Sequence, residues 1–190
     1  MMKNSYSKAQ TLERLKTKVS LFQVPEFLLF ETTIFLVTSD KVISRIMNTF
    51  NGRTLIVRSS AADEDGAQNS CAGAYDSVLN VSSSDAKAIR AAITTVIASY
   101  DRKAPRKGGD EVIVQEMLLN TSMSGVVFTH DLNTGAPYYV INYDDVSGLT
   151  DTVTSGDGEY ANRTLFIHHS AVGQVRSDRF SKLLEAVQEL

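Results

Sequence analysis

Apolar residues recur at intervals of three and four in several stretches of the chain, and this spacing predicts amphipathic helices. The predicted helices cover about residues 8–19, 39–50, 86–100 and 178–190. Short polar side chains accept the free N–H groups of a helix's first turn, so Ser39 and the run ending at Asp85 are predicted N-caps. Asn51-Gly52 is expected to end the second helix, because both residues tolerate left-handed geometry.

Short runs rich in β-branched and aromatic residues predict strands. These runs cover about 27–30, 55–58, 111–118, 124–129, 138–143 and 164–168. Asn133-Thr134-Gly135 predicts a hairpin-like turn between two of them. The basic segment 102–110, with Pro105 and two glycines, is the clearest loop, so we place the lobe boundary there. We expect a mixed α/β lobe over 1–104 and a strand-rich lobe, dominated by an antiparallel sheet, over 105–190.

Composition excludes several classes of protein. The chain has 190 residues, of which 43% are hydrophobic and 22% charged, as in soluble globular proteins. A net charge of −3 argues against nucleic acid or an anionic membrane as the main partner. The longest apolar run is too short to span a bilayer, and a single cysteine, Cys71, fits a reducing compartment. We therefore expect a cytoplasmic protein.

The candidate chemistry is concentrated where the predicted strand 55–58 ends. Arg58 supplies a fixed cation, Ser59 a hydroxyl, and the segment 70–73 a loop of small residues. Such a combination suits a polyphosphate ligand, because a guanidinium binds phosphate oxygens in a forked geometry. The alternatives are a structural ion pair of Arg58 with Glu64 or Asp65, and an ordinary turn at 70–73.

Residues 57–81 resemble the signature of the ATP-binding domain of the phosphoenolpyruvate synthase and pyruvate phosphate dikinase family. That signature is roughly V-R-S-S-x-x-x-E-D, then S-F-A-G, then L-N-V, and here Cys71 replaces the phenylalanine. Residues 112–117 are similar to the family's V-V-Q-x-M strand. Residues 124–135 are similar to its S-G-V-x-F-T-x-D-P-x-T-G block, in which Leu132 replaces the proline.

Two weaker blocks complete the resemblance. Residues 148–156 align with the family's G-L-G-E-x-V-V-S-G, with Thr150-Asp151 in place of Gly-Glu. Near the start of the chain, Ser7-Lys8-Ala9 is similar to an opening G-K-A whose lysine contacts ATP phosphates. A lysine at the start of a helix is also placed where the helix dipole and free N–H groups favour an anion.

The resemblance implies an ATP-grasp-like nucleotide-binding domain with ATP as its ligand. The strand at 115–118 is the implied hinge beside the adenine, and the loop 70–73 an implied cover for the phosphates. The implied ATP-binding residues are Lys8, Arg58, Ser59, Ser70, Ala72, Gly73, Gln115, Glu116, Met117 and Leu118.

The resemblance also implies parts that we expect outside this chain. Family members hold Mg²⁺ through a D-I-E-W-like motif and an L-Q-x-R motif, and neither occurs before Leu190. We therefore expect the Mg²⁺ ligands, the phosphohistidine domain and the acceptor domain downstream, and assign no catalytic residue or metal ligand here. His130 and the pair His168-His169 lack the family's T-S-H context and are expected to be solvated or structural. The acidic pair Asp144-Asp145 is expected to be solvated.

The implied function is that of an ATP-binding region in a phosphotransferase. The complete enzyme would pass phosphate from ATP, through a carrier histidine on another domain, to a small-molecule acceptor. One alternative is an ATP-dependent kinase of a divergent branch, with a glutamine amide or an antibiotic hydroxyl as acceptor. The other is a non-catalytic nucleotide-binding module.

Overall fold

The computed structural model describes residues 7–60, 76–102, 109–155 and 163–190. The chain forms two compact units, the first made of residues up to Lys18 and Val24–Met117, the second of Val19–Gln23 and Leu118–Leu190. The division therefore lies after Met117 and not near residue 104. The reason is that the strand at 111–116 pairs with strands of the first unit, which its sequence alone does not reveal.

A four-stranded antiparallel sheet organises the first unit. Its strands are β1 (Phe27–Glu31), β2 (Thr54–Ser60), β3 (Ser77–Ser82) and β4 (Glu111–Glu116), in the order β1-β4-β2-β3. The described residues of this unit also form α1 (Lys8–Lys16), α2 (Thr32–Thr49) and α3 (Ala86–Asp101). These bounds confirm the predicted strands at 27–30 and 55–58 and the predicted helices at 8–19 and 86–100.

One face of this sheet packs against α2 and α3. Leu55 and Val57 of β2 share a buried apolar cluster with the stripe of α3. The apolar stripe of α3 is buried throughout: Ile89, Ala92, Ile93, Val96, Ile97 and Tyr100. Asp85 caps this helix by accepting the N–H groups of Lys87 and Ala88 at 2.9 and 3.0 Å, as predicted.

The start of α2 differs from the prediction. The helix begins at Thr32, and Thr38 interrupts it with φ −129° and ψ 35°. Ser39 therefore begins only the second segment of a kinked helix. The first segment buries Thr32 and Phe35, which are three residues apart on one helical face, so tertiary packing selected a helix for an apolar run that has no clear local signal.

A three-stranded antiparallel sheet organises the second unit. It consists of β5 (Ser124–Phe128), β6 (Tyr138–Asp144) and β7 (Arg163–His168), in that order. The accompanying helices are α4 (Thr152–Ser155), a 3₁₀ helix (His169–Gln174) and α5 (Asp178–Gln188). Phe180 and Leu184 of α5 pack on Tyr139, Ile141 and Ile167 of the sheet.

The predicted hairpin turn is present between β5 and β6. Asp131 accepts the N–H groups of Asn133 and Thr134 at 2.7 and 3.1 Å, and Gly135 has a φ of +69°. The α/β class with an antiparallel second half is thus confirmed, and two antiparallel sheets are consistent with an ATP-grasp-like nucleotide-binding domain. In the ranges that the structure describes, no helix is long and apolar enough to cross a bilayer.

Candidate functional site

The candidate site lies on the face of the first sheet that α2 and α3 do not cover. Alternate residues of a strand point to opposite faces, so Arg58 and Ser60 share this face, whereas Val57 faces the helices. Two successive cross-strand pairs of β2 and β4 lie here, Ser60 with Glu111 and Arg58 with Ile113.

The N-terminal end of helix α1 is hydrogen-bonded to this face of the sheet. Ala9 is fully buried and donates its N–H to the Ser60 hydroxyl at 3.2 Å. The Ser7 hydroxyl accepts the Gln10 N–H at 3.2 Å, and the Ser7 N–H donates to Gln10 Oε1 at 3.2 Å, which forms a capping box. The N–H groups of Ala9 and Gln10 are therefore already bonded within the protein. An anion at this end of the helix would depend on the side chain of Lys8 and not on those two groups.

A cavity of about 250 Å³ opens between this helix and the sheet. Its lining residues are Lys8, Thr11, Leu12, Arg58 and Ile113. Pockets for whole small molecules usually measure about 300–1,000 Å³, so this cavity fits the phosphate portion of a nucleotide better than an entire nucleotide. Two cationic side chains that are distant in sequence thus line one small space.

The Arg58 side chain forms no hydrogen bond or ion pair within the described ranges. The proposed structural partners Glu64 and Asp65 lie outside the residues that the structure describes, as do Ser70, Ala72 and Gly73. Arg58 is directly opposite the nearly fully buried Ile113. A guanidinium opposite an apolar side chain, with no ion pair to a carboxylate of the described residues, is suited to bind an anion.

Ser59 does not face this cavity. Its side chain is 4% exposed and lies on the sheet face that packs against the helices, opposite that of Arg58. Ser60, which the sequence analysis did not select, is the serine on the cavity side. The period of two along a strand provides the signal that would have distinguished them.

The segment 115–118 is divided between several environments. Gln115 follows Ile113 on the cavity face and is the cross-strand partner of Ile56. Glu116 forms an ion pair with Arg53 at 2.5 Å.

Met117 donates its N–H to the Thr54 carbonyl at 2.9 Å, so this amide already has an acceptor. Leu118 is 53% exposed and begins the second unit. Contact of this segment with an adenine ring stays a prediction.

Glu111 is tied directly to the start of α1. Its Oε2 accepts the hydroxyl of Ser7 at 3.1 Å. Partial burial raises the pKa of Glu111, the Ser7 hydrogen bond opposes that rise, and the nearby Glu31 and Glu13 add to it. Glu111 was not predicted from the sequence, because only the pairing of β4 with β2 brings it to the helix.

The acidic pair of the second unit is structural, contrary to the expectation that it is solvated. Asp144 is 2% exposed and accepts the N–H groups of Val146 and Ser147 and the Thr152 hydroxyl. Asp144 also accepts the Ser147 hydroxyl, and this bond, followed by the others, holds the pKa of Asp144 well below its usual range. Asp145 forms ion pairs with two arginines, Arg163 and Arg179.

In the described part of the chain, no three His, Cys, Asp or Glu residues are placed to hold a metal ion.

The three histidines lie together at one end of the second sheet. The rings of His130 and His169 are 5.1 Å apart, and Tyr139 contacts His169 at 4.6 Å. A ring nitrogen of His169 is 2.7 Å from the Thr129 carbonyl oxygen and therefore donates to it. These contacts fit the structural one of the two expected roles, solvated or structural.

Comparisons with known proteins bear on the first unit and most of the second. Residues 29–182 match the family described as "Pyruvate phosphate dikinase, AMP/ATP-binding domain". The prodigiosin synthesizing transferase PigC of Serratia marcescens is 31% identical over 132 residues, which are 66% of this chain and 14% of PigC. The chain thus corresponds to a small part of that relative. Arg58 and the strand at 115–118 fall inside the family match, whereas Lys8 precedes it.

Proposed function

Because the chain belongs to the family of the pyruvate phosphate dikinase AMP/ATP-binding domain, we propose that its first unit binds the phosphates of ATP through Lys8 and Arg58. The observation that carries this proposal is their convergence on one cavity of about 250 Å³, although 50 positions separate them. Family membership supports ATP as the ligand, and the two cations at the cavity support this location for its phosphates.

The two cations would act differently on the polyphosphate. Lys8 provides a compact charge with rotatable donors, whereas Arg58 provides a planar fork that matches two phosphate oxygens. The apolar side chains of Leu12 and Ile113 line the same cavity and exclude water, which strengthens both interactions. Bound ATP would supply the phosphoryl group. The donor set at this cavity fits phosphate and not Mg²⁺, so the metal would be held by groups other than these.

We further propose that the chain serves as the ATP-binding region of a phosphotransferase. By the family resemblance, phosphate would pass to a carrier histidine on another domain and then to a small-molecule acceptor. PigC is named as a transferase that synthesises prodigiosin. Its similarity supports an acceptor other than pyruvate in a divergent branch. A nucleotide-binding module without catalysis is the remaining alternative.

The proposal is tested by calorimetric titration of the full 190-residue chain with Mg·ATP. Lys8→Ala and Arg58→Ala should each weaken binding by about ten-fold or more, since each removes a charge-assisted contact of roughly 1.5–3 kcal/mol. Arg58→Lys should recover only part of the loss, because it keeps the charge and loses the fork.

The matched control is Arg90→Ala in the same unit. Arg90 belongs to α3, on the other side of the sheet, and pairs with the exposed Asp40. This variant should bind Mg·ATP as the wild type does. Adenosine, which lacks phosphates, should bind the wild type and all four variants equally. Unchanged Mg·ATP affinity in both Lys8→Ala and Arg58→Ala would rule out this cavity as the phosphate site.

A further inference from the structure

Two hydrogen bonds tie the residues on either side of Lys8 to the sheet. Ser7 donates its hydroxyl to the Glu111 carboxylate at 3.1 Å, and Ala9 donates its N–H to the Ser60 hydroxyl at 3.2 Å. Ser60 and Glu111 are themselves direct cross-strand partners of β2 and β4. The backbone at Lys8 is therefore anchored, on both sides, to one pair of sheet residues.

The anchoring pair adjoins the pair that lines the cavity. The anchoring pair is Ser60 with Glu111, and the next cross-strand pair on the same face is Arg58 with Ile113. The spacing between the backbones of Lys8 and Arg58 is thus set by the paired strands of the sheet and not by the helix alone. Ser7 is 4% exposed, so water does not readily replace the Glu111 carboxylate as the acceptor of its hydroxyl.

Glu111 also determines how the Ser7 hydroxyl is used. A hydroxyl has one hydrogen and two lone pairs, and here the hydrogen goes to Glu111 while a lone pair accepts the Gln10 N–H. Without the carboxylate, the hydroxyl could rotate and the cap would lose its defined position.

We propose that Glu111 is a positioning residue of the phosphate site, which acts through Ser7 to place Lys8 opposite Arg58. This inference rests on the proposed function of the cavity. Glu111 need not contact the nucleotide, and its role requires a hydrogen-bond acceptor at this position and not a negative charge.

A double-mutant cycle for Mg·ATP binding tests this role in the full chain. Glu111→Ala should lower the affinity about ten-fold in the wild-type background and less than about two-fold in the Lys8→Ala background, because the effect passes through Lys8. In the Arg58→Ala background the loss should again be about ten-fold. A general weakening of the fold would instead reduce the affinity equally in all three backgrounds.

Two further variants separate the hydrogen bond from the charge. Glu111→Gln retains an oxygen that accepts the Ser7 hydroxyl and should bind Mg·ATP within about two-fold of the wild type. Glu13→Ala removes a neighbouring negative charge without breaking that bond and should also leave the affinity unchanged.

The outcomes are distinct. Wild-type affinity in Glu111→Ala, an equal loss in the Lys8→Ala background, or a loss in Glu111→Gln as large as in Glu111→Ala would each overturn the role of Glu111. If Lys8→Ala and Arg58→Ala themselves bind normally, the proposed function fails first and the positioning role fails with it.

Discussion

The hydroxyl of Tyr100 accepts the N–H of Ser60 at 2.8 Å, where β2 ends. The same hydroxyl donates to the Glu111 carbonyl oxygen at 2.6 Å. One side chain from α3 therefore joins the end of β2 to the start of β4. It does so at the cross-strand pair that anchors α1, so helices on both faces of the sheet are hydrogen-bonded to the same two residues.

Removal of this hydroxyl should destabilise the first unit. Tyr100→Phe leaves the N–H of Ser60 and the carbonyl of Glu111 without this partner at a site where Tyr100 is only 4% exposed. We expect a loss of about 1–3 kcal/mol, measured as faster amide hydrogen exchange in β2 and β4. Tyr138→Phe is the control, since Tyr138 is 36% exposed and belongs to the other unit. Equal protection of β2 in Tyr100→Phe and the wild type would contradict the bridging role.

Gly125 should tolerate no side chain. A Cβ at this position would lie 2.2 Å from the Asn142 carbonyl oxygen and 2.9 Å from the Tyr143 Cα, both of them backbone atoms. Gly125→Ala should therefore separate β5 from β6 and cost about 1–3 kcal/mol, measured by urea unfolding followed by circular dichroism. Gly173→Ala is the matched control, because nothing lies within 4 Å of its Cβ position. The interpretation fails if the two variants unfold at the same urea concentration.

Asp145 should contribute to the stability of the second unit through two arginines. Its side chain is 11% exposed and pairs with Arg163 on β7 and with Arg179 on α5. Asp145→Asn should lower the free energy of unfolding by about 1–2 kcal/mol, since both arginines are half exposed and partly screened by solvent. Asp40→Asn, at a pair whose aspartate is 92% exposed, should change it by less than about 0.5 kcal/mol. High salt should reduce the difference between the two, and a salt-independent difference would contradict an electrostatic origin.

Asp144 should make the second unit sensitive to acid. The hydrogen bonds from Ser147, Val146 and Thr152 lower the pKa of this carboxyl in the folded chain, so the ionised form stabilises the fold. The contribution is fully present above the unfolded pKa of about 3.8 and is lost as the pH falls toward the folded pKa. Asp144→Asn should therefore melt below the wild type at pH 7, and the gap should narrow by pH 2–3. A gap that is independent of pH would refute the assignment.

The sequence by itself determined most elements of this protein. Periodic stripes located α1, α3 and α5, and the Asp85 cap and the Gly135 turn appear where local chemistry requires them, because these signals depend on neighbouring residues only. The ordered motifs also identified the family, which the match over 29–182 confirms.

Only the tertiary structure decided which residues meet. The pairing of β4 with β2 moved the division of the chain beyond Met117 and brought Glu111 to the start of α1. It also placed Ser60, and not Ser59, on the face with Arg58. Register and strand order result from long-range pairing energies, which a local pattern does not encode. The sequence therefore identified the nucleotide-binding family, and the sheet determined which side chains line the cavity where we propose that the phosphates bind.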